Sequence, residues 1–469
     1  MSMAERVGLW GGLVVFVVMW LISAPLGMSV EAWRVAALTV LMAIWWMTQA
    51  LPLTVTALLP FLILPAAGVM NVNDTAGSYY SPILFLVLGG AMIALAIERV
   101  GLHRRLAHAI IKRGGGSAGS MLLAFMSSTA ILSFIVSNTA TSLIMIPIAL
   151  AIVRAGAVPE GKTEGFAGAL MMGVAFAASI GGLGTLVGSP TNAIAAALIE
   201  KTTGTKIDFL TWATYGLPLV LLAIPTCWLI LMRVQGVARD SFDPAAAARG
   251  LGDIGAWSEA EKRLVPLVAL VVAAWVAQPF VEPLLPKGSI SDGTIAIAGA
   301  LLLFVLPDGS GRPMLNWEEA NRAPWGVIMM FGGGLALAAG IGESGLGAWL
   351  GTAMEPLRSV HPLLLTLLVV ALVIVFTEFA SNVATASALI PIVGAMIAGS
   401  GVDPLLLALP AAMAASWGFM LPSGTGPNAI AWATGHIALP RMLKAGLLLD
   451  IAGIPLMVGT VWLVAALIG

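Results

Sequence analysis

Two twelve-residue stretches from opposite halves of the chain repeat one polar pattern. Residues 137–148 read SNTATSLIMIPI and residues 381–392 read SNVATASALIPI, with seven positions identical. A hydroxyl residue precedes each Ser-Asn pair by four positions, Ser133 in the first stretch and Thr377 in the second. Side chains of this kind offer oxygen atoms to a cation and N–H or O–H groups to an anion.

A second pair of matching stretches joins glycine to a hydroxyl residue. Residues 188–195 read GSPTNAIA and residues 424–431 read GTGPNAIA, with five positions identical. Gly188 and Gly424 let the backbone bend, so that carbonyl oxygens face a bound cation. The alternatives are close helix packing for the glycines and turn capping for the Ser-Asn pairs. Because both motifs occur twice in register, the pattern favours ligand binding.

An anion bound between these motifs needs donors, and no lysine or arginine lies deep in a predicted span near them. Helices that begin near Asn138 and Asn382 would direct free N–H groups and a positive dipole end at an anion. Sodium bound nearby would add positive charge and couple the two ligands. Glu378 is a further functional candidate, because its position puts a carboxylate deep in the predicted membrane region. The alternative is that it caps the turn of the hairpin. It is not included among the predicted ligands.

The composition indicates the class of protein that carries these motifs. Of the 469 residues, 59% are hydrophobic and only 10% are charged, with a mean hydropathy of +1.00, so most of the chain cannot face water. The net charge of −1 gives no basic surface for nucleic acid. One cysteine, Cys227, excludes a disulfide within the chain, and four histidines argue against a tetrahedral metal site. The sequence therefore predicts an all-α polytopic membrane protein and a lipid bilayer as its surroundings.

Each spanning helix needs about 20 apolar residues. Two further apolar stretches, 118–153 and 361–398, carry the Ser-Asn clusters at their centres and are predicted to be re-entrant hairpins. The eleven predicted spans fall near 8–25, 33–50, 53–69, 82–98, 166–199, 209–233, 264–281, 292–306, 324–341, 404–435 and 443–467, and the stretches 166–199 and 404–435 are expected to break at Gly and Pro.

Basic residues orient this arrangement. With the N-terminus in the cytoplasm, most of the 22 Lys and Arg residues fall on the cytoplasmic side of the cytoplasmic (inner) membrane. Five spans and a hairpin in each half give two inverted repeats, which in secondary transporters surround a midplane site. The predicted units are an N-terminal transmembrane helix (1–29), a first repeat (30–235), a cytoplasmic connection (236–262) and a second repeat (263–469).

The chain resembles the divalent-anion:sodium symporter family. The resemblance is carried by Ser-Asn-Thr at 137–139, Ser-Asn-Val at 381–383 and the stretch 415–430, and it extends over essentially the whole chain. It implies a homodimer whose transport domain moves against a scaffold domain as an elevator. It also implies symport of sodium with a divalent anion, either a C4-dicarboxylate such as succinate, malate or fumarate, or sulfate. Val383 replaces the usual threonine, which resembles the sulfate-type members and leaves the anion open.

The resemblance also assigns site residues. The first sodium site matches Ser133, Ser137, Asn138 and Gly188, and the second matches Thr377, Ala380, Asn382 and Gly424. The anion-binding positions are Ser137, Asn138, Thr139, Ser189, Ser381, Asn382, Val383 and Thr425.

Two other functions fit parts of the sequence. A sodium-independent dicarboxylate exchanger could use the same fold, and sodium dependence would distinguish it. An intramembrane serine protease is suggested by the G-x-S-G pattern at Ser344, with His361 or His436 as the base. That pattern is four residues long, and a Ser344→Ala variant with full function would exclude the protease. A purely structural or receptor role would leave the paired helix breaks unexplained.

Overall fold

The computed structural model describes residues 1–102, 104–105, 108–109, 116–155, 163–239 and 255–468. Within these ranges the secondary structure is helical, apart from an isolated bridge between Pro307 and Pro313. The first half contains α1 (Met3–Leu21), α2 (Val30–Thr48), α3 (Leu53–Thr56), α4 (Leu59–Ala66), α5 (Val72–Ser78), α6 (Pro82–Val100), α7 (Ala118–Leu132), α8 (Asn138–Ala155), α9 (Gly165–Gly182), α10 (Pro190–Thr203) and α11 (Phe209–Gln235).

The second half repeats this alternation of long and short helices. It contains α12 (Glu259–Val281), α13 (Asp292–Val305), α14 (Trp317–Ala320), α15 (Trp325–Glu343), α16 (Leu346–Ala353), α17 (Pro362–Phe379), α18 (Asn382–Ser400), α19 (Pro404–Ala414), α20 (Gly426–Trp432) and α21 (Leu439–Ile468).

In the described part of the chain, eleven helices are long and apolar enough to cross a membrane. The protein is therefore a multi-pass α-helical membrane protein, as predicted. These eleven helices are not all the ones that were predicted to span the membrane. The hairpin helices α8, α17 and α18 are membrane-length, whereas the predicted spans 53–69, 292–306 and 404–435 contain only shorter helices. The eleven are α1, α2, α6, α8, α9, α11, α12 with its C-terminal turn, α15, α17, α18 and α21.

Proline explains why the helices in 53–69 and 292–306 are short. The stretch 53–69 breaks between α3 and α4, where Pro60 lies in the first turn of α4 and Pro65 near its end. Pro60 has no N–H to continue a helix from the preceding turn. Helix α13 has 14 residues and its last helical position is followed by Leu306 and Pro307. The residue before a proline is disfavoured in helical geometry, so the apolar run ends there.

Four helix breaks give the molecule its two related halves. Helices α7 and α8 are separated by residues 133–137, and α17 and α18 by residues 380–381. The stretches 166–199 and 404–435 also break as predicted, between α9 and α10 and between α19 and α20. Each half thus contains one helix–turn–helix pair and one interrupted helix. Whether the pairs re-enter the membrane, and where the repeats and domains end, stay predictions.

Helix α9 forms the centre of the packing, because every one of its residues is buried. It packs against α7, α8 and α11 of its own half and against α20 of the other half. Helix α10 packs in turn against α18. At the other extreme, α1 buries only Gly8 and Gly12. The two halves therefore pack against each other around the helix breaks.

The predicted cytoplasmic connection, 236–262, is described only in part, because positions 240–254 lie outside the described residues.

Candidate functional site

The first tip, defined as residues 133–138 between α7 and α8, is held by a buried cluster of polar atoms. Ser133 Oγ donates a hydrogen bond of 2.7 Å to the Ala178 carbonyl in α9. One amide atom of Asn138 lies 2.9 Å from Ser133 Oγ, 3.1 Å from Ala178 O and 3.2 Å from Gly188 O. As nitrogen this atom donates to all three, and as oxygen it completes a cluster of four oxygen atoms.

The second tip, residues 377–382 between α17 and α18, has the same construction. Thr377 Oγ1 donates a hydrogen bond of 2.6 Å to the Ala415 carbonyl at the end of α19. The same hydroxyl lies 3.1 Å from Asn382 Oδ1. Thr377 and Ser133 are both fully buried. The hydroxyl residues that precede the Ser-Asn pairs therefore attach each tip to the interrupted helix of its own half.

Both tips reach a single cavity of about 700 Å³. Four of the predicted sodium residues lie behind its wall and are buried: Ser133, Gly188, Thr377 and Ala380. All eight predicted anion-binding residues line it, namely Ser137, Asn138, Thr139, Ser189, Ser381, Asn382, Val383 and Thr425. The predicted sodium residue Gly424 lines it as well.

Helix N-termini converge on this cavity. Helices α8, α10 and α18 begin at it, and the short helix α20 does so as well. The hydroxyl oxygen of the capping residue accepts a hydrogen bond from a first-turn N–H in each helix, at 3.4 Å for Ser137 and 3.2 Å for Ser381. Ser189 and Thr425 cap the other two helices in the same way. The positive ends of three long helices therefore point at one volume, which favours an anion there.

The two glycines of the interrupted helices contact carbonyl oxygens closely. A β-carbon on Gly188 would lie 2.6 Å from Gly182 O and 2.7 Å from Ser133 O, so no side chain fits there. A β-carbon on Gly424 would lie 3.3 Å from Leu421 O. The contacts bring backbone oxygens of the tip and the interrupted helix together, and that these oxygens bind sodium stays a prediction.

Side chains of the two halves contact each other directly. A β-carbon on Gly426 would lie 2.5 Å from Thr139 Oγ1, so the hydroxyl of Thr139, in the first turn of α8, packs on the bare backbone of α20. Phe176 of α9 and Phe419 also stack edge to face, with ring centroids 5.0 Å apart. Residues of both halves therefore form the wall of the cavity together.

Two buried asparagines that were not among the predicted residues brace the helix breaks. Asn192 Nδ2 donates to Gly182 O at 2.7 Å and to Thr185 O at 2.8 Å. Asn428 Nδ2 donates to Gly418 O at 3.4 Å and to Leu421 O at 3.1 Å. The spacing to the accepting carbonyls is the same in both halves. Each asparagine satisfies carbonyls that the break in the helix leaves free, and the identical Asn-Ala-Ile-Ala in the two stretches was the available signal.

Glu378 caps a segment other than its own turn. Its carboxylate accepts hydrogen bonds from the N–H groups of Phe419 at 2.6 Å and Met420 at 3.0 Å, and from Leu421 at 3.3 Å. It therefore caps the broken segment after α19 and not its own turn. The side chain is 4% exposed, and Asp450 of α21 lies beside it.

The residues of the protease interpretation have structural roles. Ser344 caps the end of α15, and its hydroxyl oxygen accepts a hydrogen bond of 3.3 Å from the Leu346 N–H. His361 is the N-cap of α17, where its Nδ1 accepts a hydrogen bond of 3.2 Å from the Leu363 N–H. These interactions explain both side chains without a catalytic pair.

Membrane-length helices, paired helix breaks and one shared cavity define a membrane transport protein. The chain belongs to the sodium:sulfate symporter family, because the model of that family's transmembrane region matches residues 4–468. The predicted family is thereby confirmed, and with it the expectation of a transporter and not an enzyme.

Two similar relatives are named sodium-dependent dicarboxylate transporter SdcS. The relative from Staphylococcus saprophyticus is 37% identical over 474 residues, which cover 98% of this chain and 91% of the relative. The relative from Staphylococcus aureus is 38% identical over 461 residues, which cover 95% of this chain and 88% of the relative.

Two solved structures share the fold at low sequence identity. The YdaH transporter of Alcanivorax borkumensis superposes with a TM-score of 0.56 and 15% identity, over 100% of this chain and 98% of YdaH. MtrF of Neisseria gonorrhoeae superposes with a TM-score of 0.57 and 13% identity, over 82% and 83% of the two chains. At these identities the likeness concerns the fold alone.

Proposed function

We propose that this protein is a sodium-coupled symporter of a divalent anion, and that the anion is a C4-dicarboxylate such as succinate. The observation that carries the proposal is the convergence of helix N-termini and neutral donors from both tips on one cavity. Two carboxylates of one small molecule match two tips of related construction. The names of the two SdcS relatives support both the sodium and the dicarboxylate.

The buried oxygen clusters are the proposed sodium sites. Within the described residues, no group of three or more His, Cys, Asp or Glu side chains could hold a metal ion. Uncharged oxygens remain, and they suit sodium. At the first tip the amide of Asn138 would turn its oxygen to a bound ion and its nitrogen to Ala178 O and Gly188 O without one. Sodium would in this way set the orientation of an amide that lines the anion cavity.

The proposed cycle follows from this coupling. Sodium binds first and orders both tips, and the dianion then binds between Ser137, Asn138 and Thr139 on one side and Ser381 and Asn382 on the other. The loaded transport domain moves across the bilayer against a scaffold domain, within a homodimer. Each helix end stabilises a bound anion by only about 0.3–1 kcal/mol. Sodium supplies the further positive charge that a dianion needs.

The orientation of the cavity is also a proposal. Its wall includes Glu98 and Arg322. Counting the predicted spans from a cytoplasmic N-terminus puts the segments that follow 82–98 and 292–306 in the cytoplasm. We place the open end of the cavity on the cytoplasmic side of the cytoplasmic membrane, with the N-terminus on that side too.

The first experiment is uptake of labelled succinate and labelled sulfate into proteoliposomes, with and without an inward sodium gradient. Accumulation of succinate that requires the sodium gradient is the expected result, and sulfate should compete weakly. Uptake that needs internal dicarboxylate and ignores sodium would replace symport by exchange. Accumulation of sulfate alone would change the substrate.

Variants of the tips test the site. Asn138→Ala and Asn382→Ala should each lose at least about tenfold in uptake, because a donor to the anion and an oxygen ligand of sodium are removed together. Asn71→Ala is the control, since Asn71 caps α5 at an exposed position outside the cavity. Normal uptake by both tip variants, with normal folding, would remove this assignment.

A further inference from the structure

The cavity wall carries charge at one place only among the described residues. Its lining is neutral apart from Glu98, near the end of α6, and Arg322, just before α15. Arg322 Nη2 donates a hydrogen bond of 3.0 Å to Glu98 Oε1. A dianion that moves between solution and the tips therefore passes a single ion pair.

This ion pair is easily opened. The Arg322 side chain is 62% exposed and the Glu98 side chain 32% exposed. Exposed ion pairs contribute only about 0–1 kcal/mol, so solvent and other ions compete with them readily. Among the described residues, Glu98 is the one partner of the Arg322 guanidinium. The guanidinium is thus held at the cavity without being used by the rest of the fold.

A neighbouring arginine shows the contrast. Arg99 donates to the carbonyls of Pro313 and Met314 and pairs with Asp308 and Glu319, so its guanidinium is fully engaged. Hydrogen bonds from Ser310, with a smaller effect of Arg99, hold the pKa of Asp308 well below its usual range, which keeps this partner charged. Arg99 fastens the loop after α13, whereas Arg322 has no such task.

Resting on the proposed function, we propose that Arg322 is the anion-receiving residue at the mouth of the cavity, and that Glu98 is its temporary substitute ligand. An arriving carboxylate replaces Glu98 on the guanidinium, whose planar geometry suits a carboxylate. The dianion then moves on to the tips, and Glu98 takes the guanidinium back. Arg322 therefore speeds entry and exit without belonging to the site between the tips.

The two members of the pair should act in opposite directions. A charge at the entrance changes the association rate and its dependence on salt more than the stability of the final complex. Arg322→Gln should slow succinate association about fivefold at low ionic strength, and Glu98→Gln should accelerate it. A merely structural ion pair would give the same change from either side.

The test is stopped-flow tryptophan fluorescence of the purified protein in detergent, where both ends of the cavity face solution. Succinate is the probe, sodium is held constant, and choline chloride sets the ionic strength. The opposite effects of the two variants should shrink toward the wild-type rate at high salt. Arg312→Gln is the matched control, because Arg312 pairs with Glu319 at 2.7 Å and does not line the cavity.

The outcomes separate this inference from the proposed function. Changes of the same sign in the two variants, or no dependence on salt, would overturn the role of Arg322. A protein that binds succinate with these rates but shows no sodium-driven uptake in proteoliposomes would contradict symport and leave the role of Arg322 standing. A wild type that neither binds nor transports succinate would contradict both.

Discussion

The hydroxyl of each tip donates to an alanine carbonyl of the interrupted helix in its own half, but other groups hold the two tips in place differently. In the first half Ser133 and Asn138 meet the Ala178 carbonyl, and in the second Thr377 meets the Ala415 carbonyl. Behind each tip an asparagine braces the interrupted helix at the same spacing. The geometry of the oxygen atoms has been kept in both halves, while the groups that hold each tip in place have diverged.

The two halves differ most clearly at the residue that follows Ser133 in the first tip and Thr377 in the second. The first half has Phe134, whose carbonyl accepts a hydrogen bond from the Thr185 hydroxyl. The second half has Glu378, whose carboxylate accepts three N–H groups of the broken segment. The first half is therefore fastened by a hydroxyl and tight glycine contacts, and the second by a buried carboxyl group. An oxygen cluster is thus preserved in both halves while the groups that support it differ.

The largest difference between the halves is expected from removing that carboxyl group. Glu378→Ala leaves three N–H groups, one buried and two partly buried, without an acceptor. It should cost about 3 kcal/mol of the free energy of unfolding and abolish uptake. Phe134→Ala, at the corresponding position, removes only packing and keeps the carbonyl that Thr185 uses. Thermal unfolding in detergent measures both variants. Equal losses would mean that the carboxylate is not the fastening of the second tip.

A smaller difference is expected at the glycines. Gly188→Ala puts a β-carbon 2.6 Å from the Gly182 carbonyl oxygen and should cost about 1–3 kcal/mol, with loss of sodium-driven uptake. Gly424→Ala meets its nearest atom at 3.3 Å and should keep most of its uptake. Sodium titration of succinate uptake distinguishes the two. A more severe defect in Gly424→Ala would reverse our assignment of the tighter half.

The asparagine braces should show the smallest difference. Asn192→Ala removes bonds of 2.7 and 2.8 Å and should lower the free energy of unfolding by about 2 kcal/mol, whereas Asn428→Ala removes bonds of 3.4 and 3.1 Å and should cost about 1 kcal/mol. Melting temperatures of the two variants provide the test. The same ranking in both sodium and choline buffer would show that the braces act on the fold and not on an ion.

Much of the architecture followed from the sequence because the halves repeat it. The paired Ser-Asn and Gly motifs predicted the tips and the breaks at Gly188 and Gly424. Asn192 and Asn428 escaped prediction, although they belong to the same repeat, because no pattern in a sequence tells which freed carbonyls an amide will reach. Glu378 was recognised as a candidate, but its partners come from a segment that only the folded chain brings close.

The lengths of the helices were harder to predict than their existence. Apolarity alone made 53–69 a span, and the steric effect of Pro60 outweighed it. The polar centres of 118–153 and 361–398 predicted hairpins there. The arms α8, α17 and α18 are nevertheless each membrane-length.

The contact between Thr139 and Gly426 has a consequence for biosynthesis. The ribosome delivers Thr139 in the first half of synthesis and Gly426 only near its end, so the Thr139 hydroxyl lacks this neighbour until α20 has been made. A chain that stops before α20 would lack the part of the cavity wall that Gly426 and Pro427 supply. We expect such an incomplete product to be degraded.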